Sequence, residues 1–313
     1  MDAFQQEKPV QDQESSDSLT PYHITQLSRH PARPYTLDII GQLCTNFLEL
    51  HGDRNFWDDP SLVTGLASFR GHRVAVLGHQ KGRGTKDNVK RNFGMPRPEG
   101  YRKALRIMNM AERFSLPIIT FIDTPGAYPG IDAEERGQSE AIAKNILVMS
   151  RLGVPIITVV VGEGGSGGAL AIGVGNRVLM MENSIYSVIS PEGCASILWK
   201  DGAQASRAAQ ILGLTAEVAL KNKLIDGIIK EPAGGAHLNP SEAIENIGNA
   251  VEHHLLELLP LSKEQLKSDR VRKYFKMGAF ETRPSLSPFQ REMAPDASWD
   301  ENWESVASHM GVT

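Results

Sequence analysis

The chain has 313 residues, 41% hydrophobic and 22% charged, enough to bury one large globular core or two smaller ones. With 33 Lys and Arg against 37 Asp and Glu the formal charge is −4, so no general attraction to nucleic acid is expected and any anion site has to be local. The isolated Cys44 and Cys194 exclude a disulfide framework or a thiolate metal site within this chain, no uninterrupted apolar run is long enough for a membrane span, and the polar, acidic N-terminus lacks the order of a signal peptide, so the expected address is the cytoplasm.

Residues 1 to about 20 carry Asp2, Glu7, Asp12, Glu14 and Asp17 against Lys8 and show no apolar period, which reads as a tail that is disordered or ordered only by a partner. From there apolar runs alternate with amphipathic stretches and Gly-rich turns, the order of an α/β domain. Strands are predicted at RVAVLG (73–78), PIITFID (117–123), VPIITVVVG (154–162), RVLMME (177–182), SIYSVI (184–189) and IDGIIK (225–230). Between the first two, a helix from Pro98 places Ala104, Leu105, Met108 and Ala111 on one face; between the next two, QSEAIAKNILVMSRL does so with Ile142, Ile146 and Met149. Both faces are expected against the sheet. Pro191 should open a helix that buries Cys194. The C-terminal stretch from about Thr282, with Pro284, Pro288 and Pro295 but also Trp299 and Trp303, reads as a solvated tail, with docking on a partner through the tryptophans as the alternative. The expected division is an N-terminal extension over 1–30, one catalytic domain over 31–265 and a C-terminal helix and tail over 266–313.

PIIT occurs at Pro117 and again at Pro155, each time as a strand running into a glycine turn and a helix. Ligands of open α/β sheets collect at the carboxyl ends of strands, so the two following turns, DTPGAYPG and GEGGSGGAL, are the candidate site. In the second turn Gly162, Gly164, Gly165, Gly167 and Gly168 leave the backbone nearly bare before a helix of small residues, and the N–H groups of Gly167 and Gly168 suit an oxyanion. The plainer alternative is tight strand–helix packing. No Lys-Ser or Lys-Thr follows, which excludes a P-loop, and Leu170 stands where the dinucleotide fingerprint needs Gly or Ala. The first turn, stiffened by Pro125 and Pro129, offers the N–H groups of Gly126 and Ala127 as a second anion site, with a purely structural turn as the alternative; Asp123 is either a working carboxylate or a brace for its own turn. Lys81, Arg83, Lys86, Lys90 and Arg91 crowd around a single Asp87 in a cationic loop suited to the phosphates of a ligand, to a partner, or simply to solvent. Ser166 sits in a formal G-x-S-x-G, but no histidine stands at a spacing that makes a triad.

Together HGDRNFWDDP, GHQKGRGTKDNVKRNFGMPRPEGYRKALR, FIDTPGAYPGIDAEERGQSEAIAKN, GEGGSGGALAIGVGNRV and YSVISPEGCASILWK resemble the alpha subunit of bacterial acetyl-CoA carboxylase carboxyltransferase. The likeness covers about residues 30–260; the N-terminal extension is shorter than in many members, and the tail after about residue 280 follows no pattern of theirs. The resemblance implies a crotonase-like (ClpP/crotonase) fold of repeated ββα units. It also implies an α2β2 assembly with a beta subunit carrying a four-cysteine zinc site, no metal in this chain, and work alongside a biotin carboxyl carrier protein and biotin carboxylase. The reaction it implies moves a carboxyl group from carboxybiotin to acetyl-CoA, giving malonyl-CoA, with the biotin anion left by CO2 release taking the methyl proton. By the same resemblance Gly167 and Gly168 match the family's oxyanion pair; from the residues themselves Gly126 and Ala127 remain the second candidate pair, and Lys81, Arg83, Gly164 and Gly165 the candidate cofactor-binding residues. A stand-alone crotonase-like acyl-CoA enzyme, a peptidase and a non-catalytic scaffold remain as rival readings.

Overall fold

The computed structural model describes residues 19–278. Helix α1 (Pro21–Ser28) starts on a proline, with Thr20 Oγ1 accepting the His23 N–H. Helix α2 (Thr36–Leu43) is braced by Asp38, whose carboxylate accepts the Tyr35 N–H at 2.8 Å, and passes directly into strand β1 (Cys44–Glu49). Strands β2 (Leu62–Phe69) and β3 (His72–His79) form a hairpin about Arg70-Gly71. Both turn residues have positive φ, 44° and 87°, as a tight two-residue hairpin turn requires. There follow α3 (Thr85–Lys90), α4 (Pro98–Arg113), β4 (Ile118–Thr124), α5 (Ile131–Glu135), α6 (Gln138–Arg151), β5 (Ile156–Gly165) and α7 (Ser166–Leu170). The chain continues through β6 (Arg177–Met181), β7 (Ile185–Ser187), α8 (Pro191–Trp199), α9 (Ala205–Leu212), α10 (Ala216–Lys221), β8 (Gly227–Ile229), α11 (Pro240–Leu258) and α12 (Lys263–Phe275).

One eight-stranded sheet runs β1-β2-β3-β4-β5-β6-β8, with β7 pairing the end of β5. The β1-β2-β3 part is antiparallel and the rest parallel, with α4 and α6 as the crossovers into β4 and β5. The units β2-β3-α4 and β6-β7-α8 are the ββα repeat. The PIIT echo is a register: Ile118 pairs Ile156, Thr120 pairs Thr158, and the two buried threonine hydroxyls hydrogen-bond at 2.9 Å.

Alternation along each strand fills two layers. On one face Val74, Val76, Ile119, Phe121, Ile157, Val159 and Val161 pack against Ile39 and Leu43 of α2 and Ile247, Val251 and Leu255 of α11. On the other Ala75, Leu77, Ile118, Ile122, Ile156 and Val160 meet Ala104, Met108 and Ala111 of α4 and Met149 of α6. Burying one such side chain contributes about 1.5–3 kcal/mol, so these two layers dominate the fold's stability.

The six strand readings fall on β3 to β8, but β1 and β2 were not foreseen. In α6 the fully buried line is Ala141, Asn145 and Met149, while Ile142 and Ile146 are half-buried at its flank, because Asn145 turns in to donate to the Tyr101 carbonyl at 3.1 Å. Leu105 of α4 is likewise only partly buried. The boundary expected at residue 265 falls inside α12, which is anchored to the domain by Arg270. The expected tail over about 1–20 and the stretch from Thr282 with Trp299 and Trp303 lie largely or wholly outside the described residues. Among the described residues no helix is long and apolar enough to cross a membrane.

Candidate active site

Strands β4 and β5 are parallel neighbours, so their carboxyl ends deliver both glycine turns to one place; Thr124 pairs Gly164 across them. The turns touch. A Cβ on Gly165 would strike the Pro125 carbonyl, and one on Gly168 would lie 2.5 Å from Gly126 C and 2.6 Å from Ala127 N. Glycine at both positions is thus enforced by backbone-to-backbone approach, the packing alternative raised from the sequence. Gly167 is different: a Cβ there would meet only Ile142 of α6, at an ordinary 3.7 Å. Gly164 and Gly165 are themselves strand residues, paired with Tyr186 and Ser187 of β7.

Among the described residues the Gly167 and Gly168 N–H groups donate to no protein acceptor. Helix α7 behind them is only five residues long, so these unpaired amides matter more than its small dipole. The Gly126 N–H is committed to Thr124 Oγ1 at 3.1 Å, whereas Ala127 N stands against Gly168. Ser166, exposed between the glycines, has φ of 51°, a left-handed conformation uncommon for serine. No hydrogen bond joins it to a histidine among the described residues. Ser166, Gly167, Leu170, Tyr186, Val188 and Tyr274 line an open, mostly apolar cavity of about 430 Å³.

Beneath the turns lies a charge cluster whose functional pairing the sequence did not reveal. Lys81 Nζ bridges Asp123 Oδ1 at 2.7 Å and Glu163 Oε2 at 2.9 Å. Asp123 Oδ1 also accepts the Glu163 N–H at 3.0 Å. Arg29, the residue that caps the C-terminus of α1, extends the chain, 2.6 Å from Glu163 and 2.7 Å from Glu192. Burial works against the charge on Lys81, but the Asp123 and Glu163 carboxylates outweigh it and raise the ammonium's pKa. Burial likewise opposes the Glu163 carboxylate, and Lys81 and Arg29 overcome it to hold the pKa below the usual range. His79, fully buried at the end of β3, accepts the Asp123 N–H at Nδ1 (3.4 Å), leaving its proton on Nε2, which has no partner. Burial, then the Lys81 charge, push its pKa down to about 3, so the imidazole is neutral.

Of the cationic loop, Lys81 therefore points inward. Arg83 is also engaged, pairing Asp38 at 2.6 Å, donating to the Pro31 carbonyl at 2.7 Å and lying over the Tyr35 ring. Arg91 bonds Asp87 and the Pro60 carbonyl. Lys86 and Lys90 of α3 remain exposed. Cys194 is buried in α8 behind Pro191, as expected.

The mixed sheet with helices on both faces is a fold shared with carboxyltransferase structures. Solved structures agree: the chain matches a transcarboxylase 12S structure with a TM-score of 0.57 at 20% identity, over 84% of this chain and 47% of that one. It matches a Pseudomonas malonate decarboxylase hetero-tetramer in complex with malonate with a TM-score of 0.56 at 17% identity, over 68% of this chain and 85% of that one. Residues 1–278 match the family model described as acetyl co-enzyme A carboxylase carboxyltransferase-like. Proteins named acetyl-coenzyme A carboxylase carboxyl transferase subunit alpha are 57% identical in Thermus thermophilus (85% of this chain, 86% of that one) and 59% identical in Nitrosomonas europaea (84% and 81%). The chain belongs to this alpha-subunit family of multi-subunit carboxyltransferases.

Proposed function

We propose that the Gly167 and Gly168 amides of this chain hold the ureido oxygen of biotin during carboxyl transfer to acetyl-CoA, in a site completed by the beta subunit. The observation that carries this reading is a pair of unpaired backbone N–H groups on adjacent residues, of which Gly167 lines an open apolar cavity. The cavity suits an uncharged heterocycle, since its walls are mostly aliphatic and aromatic. Bound there, carboxybiotin on its carrier protein supplies the carboxyl group and, once that is released, the base. The chain's own part is to aim donors at an oxygen that gains negative charge and to keep water out, which accounts for the lack of a side-chain base among the site residues. Ala127 N, against Gly168, is the better-placed member of the second pair; the Gly126 amide braces its own turn. Lys86 and Lys90 are the cations of the α3 loop best exposed for coenzyme A phosphates, with Lys81 and Arg83 shaping the loop from within. Zinc in the beta subunit, the α2β2 stoichiometry and the carrier and carboxylase partners belong to the same reading.

Reconstitution tests it. The chain alone should be inactive, and addition of the beta subunit should yield carboxyl transfer between malonyl-CoA and a free biotin derivative. Gly167→Pro, which deletes the amide hydrogen at a position where a Cβ has room, should lower kcat about a hundredfold, within the range for losing one oxyanion donor. Ser166→Ala should retain most of the rate. A folded pair without turnover would overturn the assignment. A dead Ser166→Ala would favour the peptidase, and an intact Gly167→Pro complex with undiminished turnover the scaffold.

A further inference from the structure

The HGDRNFWDDP segment plays no part in the site above, yet it is one of the most elaborately braced loops of the molecule. Asp53 Oδ1 accepts the N–H groups of Asn55, Phe56 and Trp57 at 2.8–3.1 Å, and Gly52 N–H donates to Asp58 Oδ1 at 2.8 Å. Held this way, Arg54 has φ of 62°, a left-handed conformation that arginine rarely takes. The brace directs its guanidinium to the His51 carbonyl at 3.0 Å. Arg106 of α4 donates to that same oxygen at 3.0 Å and to the Gly52 carbonyl at 3.1 Å. Two guanidinium nitrogens thus share one acceptor, each at 3.0 Å, which caps their separation at twice that distance.

Among the described residues neither Arg54 nor Arg106 has a carboxylate within ion-pair distance. The acids nearby are taken: Asp53 and Glu99 by Arg102, and Asp58 by Lys103. Glu140 faces Lys144 at 3.8 Å. Burial, and then the facing Arg54, lower the Arg106 pKa, with Asp58 only partly offsetting them. Both arginines line a cavity of about 420 Å³ together with Arg102, Asn55, Asn109 and Lys144, and with the already paired Asp53 and Glu140. Like charges held together at a hollow, with the local acids already paired, are stabilised by an anion between them, and planar guanidiniums match the oxygens of phosphate.

We propose that Arg54 and Arg106 form a binding site for a phosphate-bearing small molecule, seated between the His51–Trp57 loop, α4 and α6. The ligand chemistry is a phosphate monoester or free phosphate. The proposal does not depend on the carboxyl-transfer reading, because it uses none of the residues of the glycine turns.

The test is calorimetric titration of the full chain with inorganic phosphate at fixed ionic strength. One saturable site is expected. Arg54→Gln and Arg106→Gln should each weaken it about tenfold, as for loss of one charge-assisted contact. Arg106→Lys, which keeps the charge but not the fork, should recover part of the loss. Lys221→Gln/Lys223→Gln, at exposed lysines outside both sites, should bind as the parent does, and melting temperatures should show every variant folded. Equal binding by the Arg54→Gln/Arg106→Gln double variant, or no saturable binding by the parent, overturns the proposal. A second arm compares coenzyme A with its 3′-dephospho form in parent and double variant. An arginine-dependent affinity that disappears with the 3′-phosphate assigns coenzyme A as the phosphate's source; one indifferent to it assigns a free phosphate compound, and both support the site.

Discussion

Lys81 holds together the carboxylates of Asp123 and Glu163, one from the end of each central strand, and so fixes the roots of both glycine turns at once. A buried charge cluster is costly to form but costlier to break, since removing one member leaves the others uncompensated. Lys81→Met should therefore destabilise the protein by about 3 kcal/mol near neutral pH, read as a shift in the urea midpoint. The pH dependence identifies the cause. In the parent Glu163 has a lowered pKa, so its contribution is complete above the unfolded value of roughly 4.3 and is lost as the pH falls through the folded value. In Lys81→Met the two neighbouring carboxylates repel and one should hold a proton more tightly than in the unfolded chain. That reverses the sign: the variant's deficit should shrink as the pH drops from 7 to 5. A deficit constant over this range would mean that lost packing of the lysine stem, not charge balance, is responsible.

At the level of elements, α12 shows how one side chain docks a helix. Arg270, fully buried, donates to the carbonyls of Met149 (2.7 Å) and Leu152 (2.8 Å) at the end of α6, to Val154 (2.9 Å) and to Asn176 Oδ1 (2.7 Å). Burial pushes its pKa down to about 10, which still leaves it charged at the C-terminal end of a helix, where a cation is favoured. Arg270→Met should cost about 3 kcal/mol, because each stranded buried acceptor loses its bond, and hydrogen exchange should rise in α12 and the last turn of α6. Exchange confined to α12 would place the docking elsewhere. The sequence reading placed its C-terminal boundary inside this helix, since KEQLKSDRVRKYF shows little apolar stripe and is held by bonds to a partner 94–121 residues away. Strands β3 to β8 were legible because apolar runs bounded by Gly or polar turns mark buried parallel strands. β1 was not, because it follows α2 without a turn, and Asn46 at φ 53° and a register shift between Thr45 and Leu48 break its alternation. The glycine turns were visible for their composition. The cluster beneath them was not, for its members lie 40 and 82 residues apart; the available signal was an acid ending each apolar run, in FIDT and VVVGEG.

For the molecule as a whole, the central strands serve both layers, so neither the α11 face nor the α4 face can unfold while the sheet persists. Glu163 and Asp123 sit at the ends of those same strands, which ties the aim of the candidate amides to global rather than local stability. The expectation is a single cooperative transition. Ile247→Val on the α11 side and Ile107→Val on the α4 side each remove one buried methylene at 0% exposure and should cost about 0.5–1.5 kcal/mol. Lying on opposite faces of the sheet in separate clusters, they should add to within about 0.5 kcal/mol in the double variant. Circular dichroism and tryptophan fluorescence should follow one shared urea midpoint in all three variants. Two resolved transitions, or a substitution moving only one probe, would show that the layers melt apart, and the site geometry could then be lost while much of the fold survives.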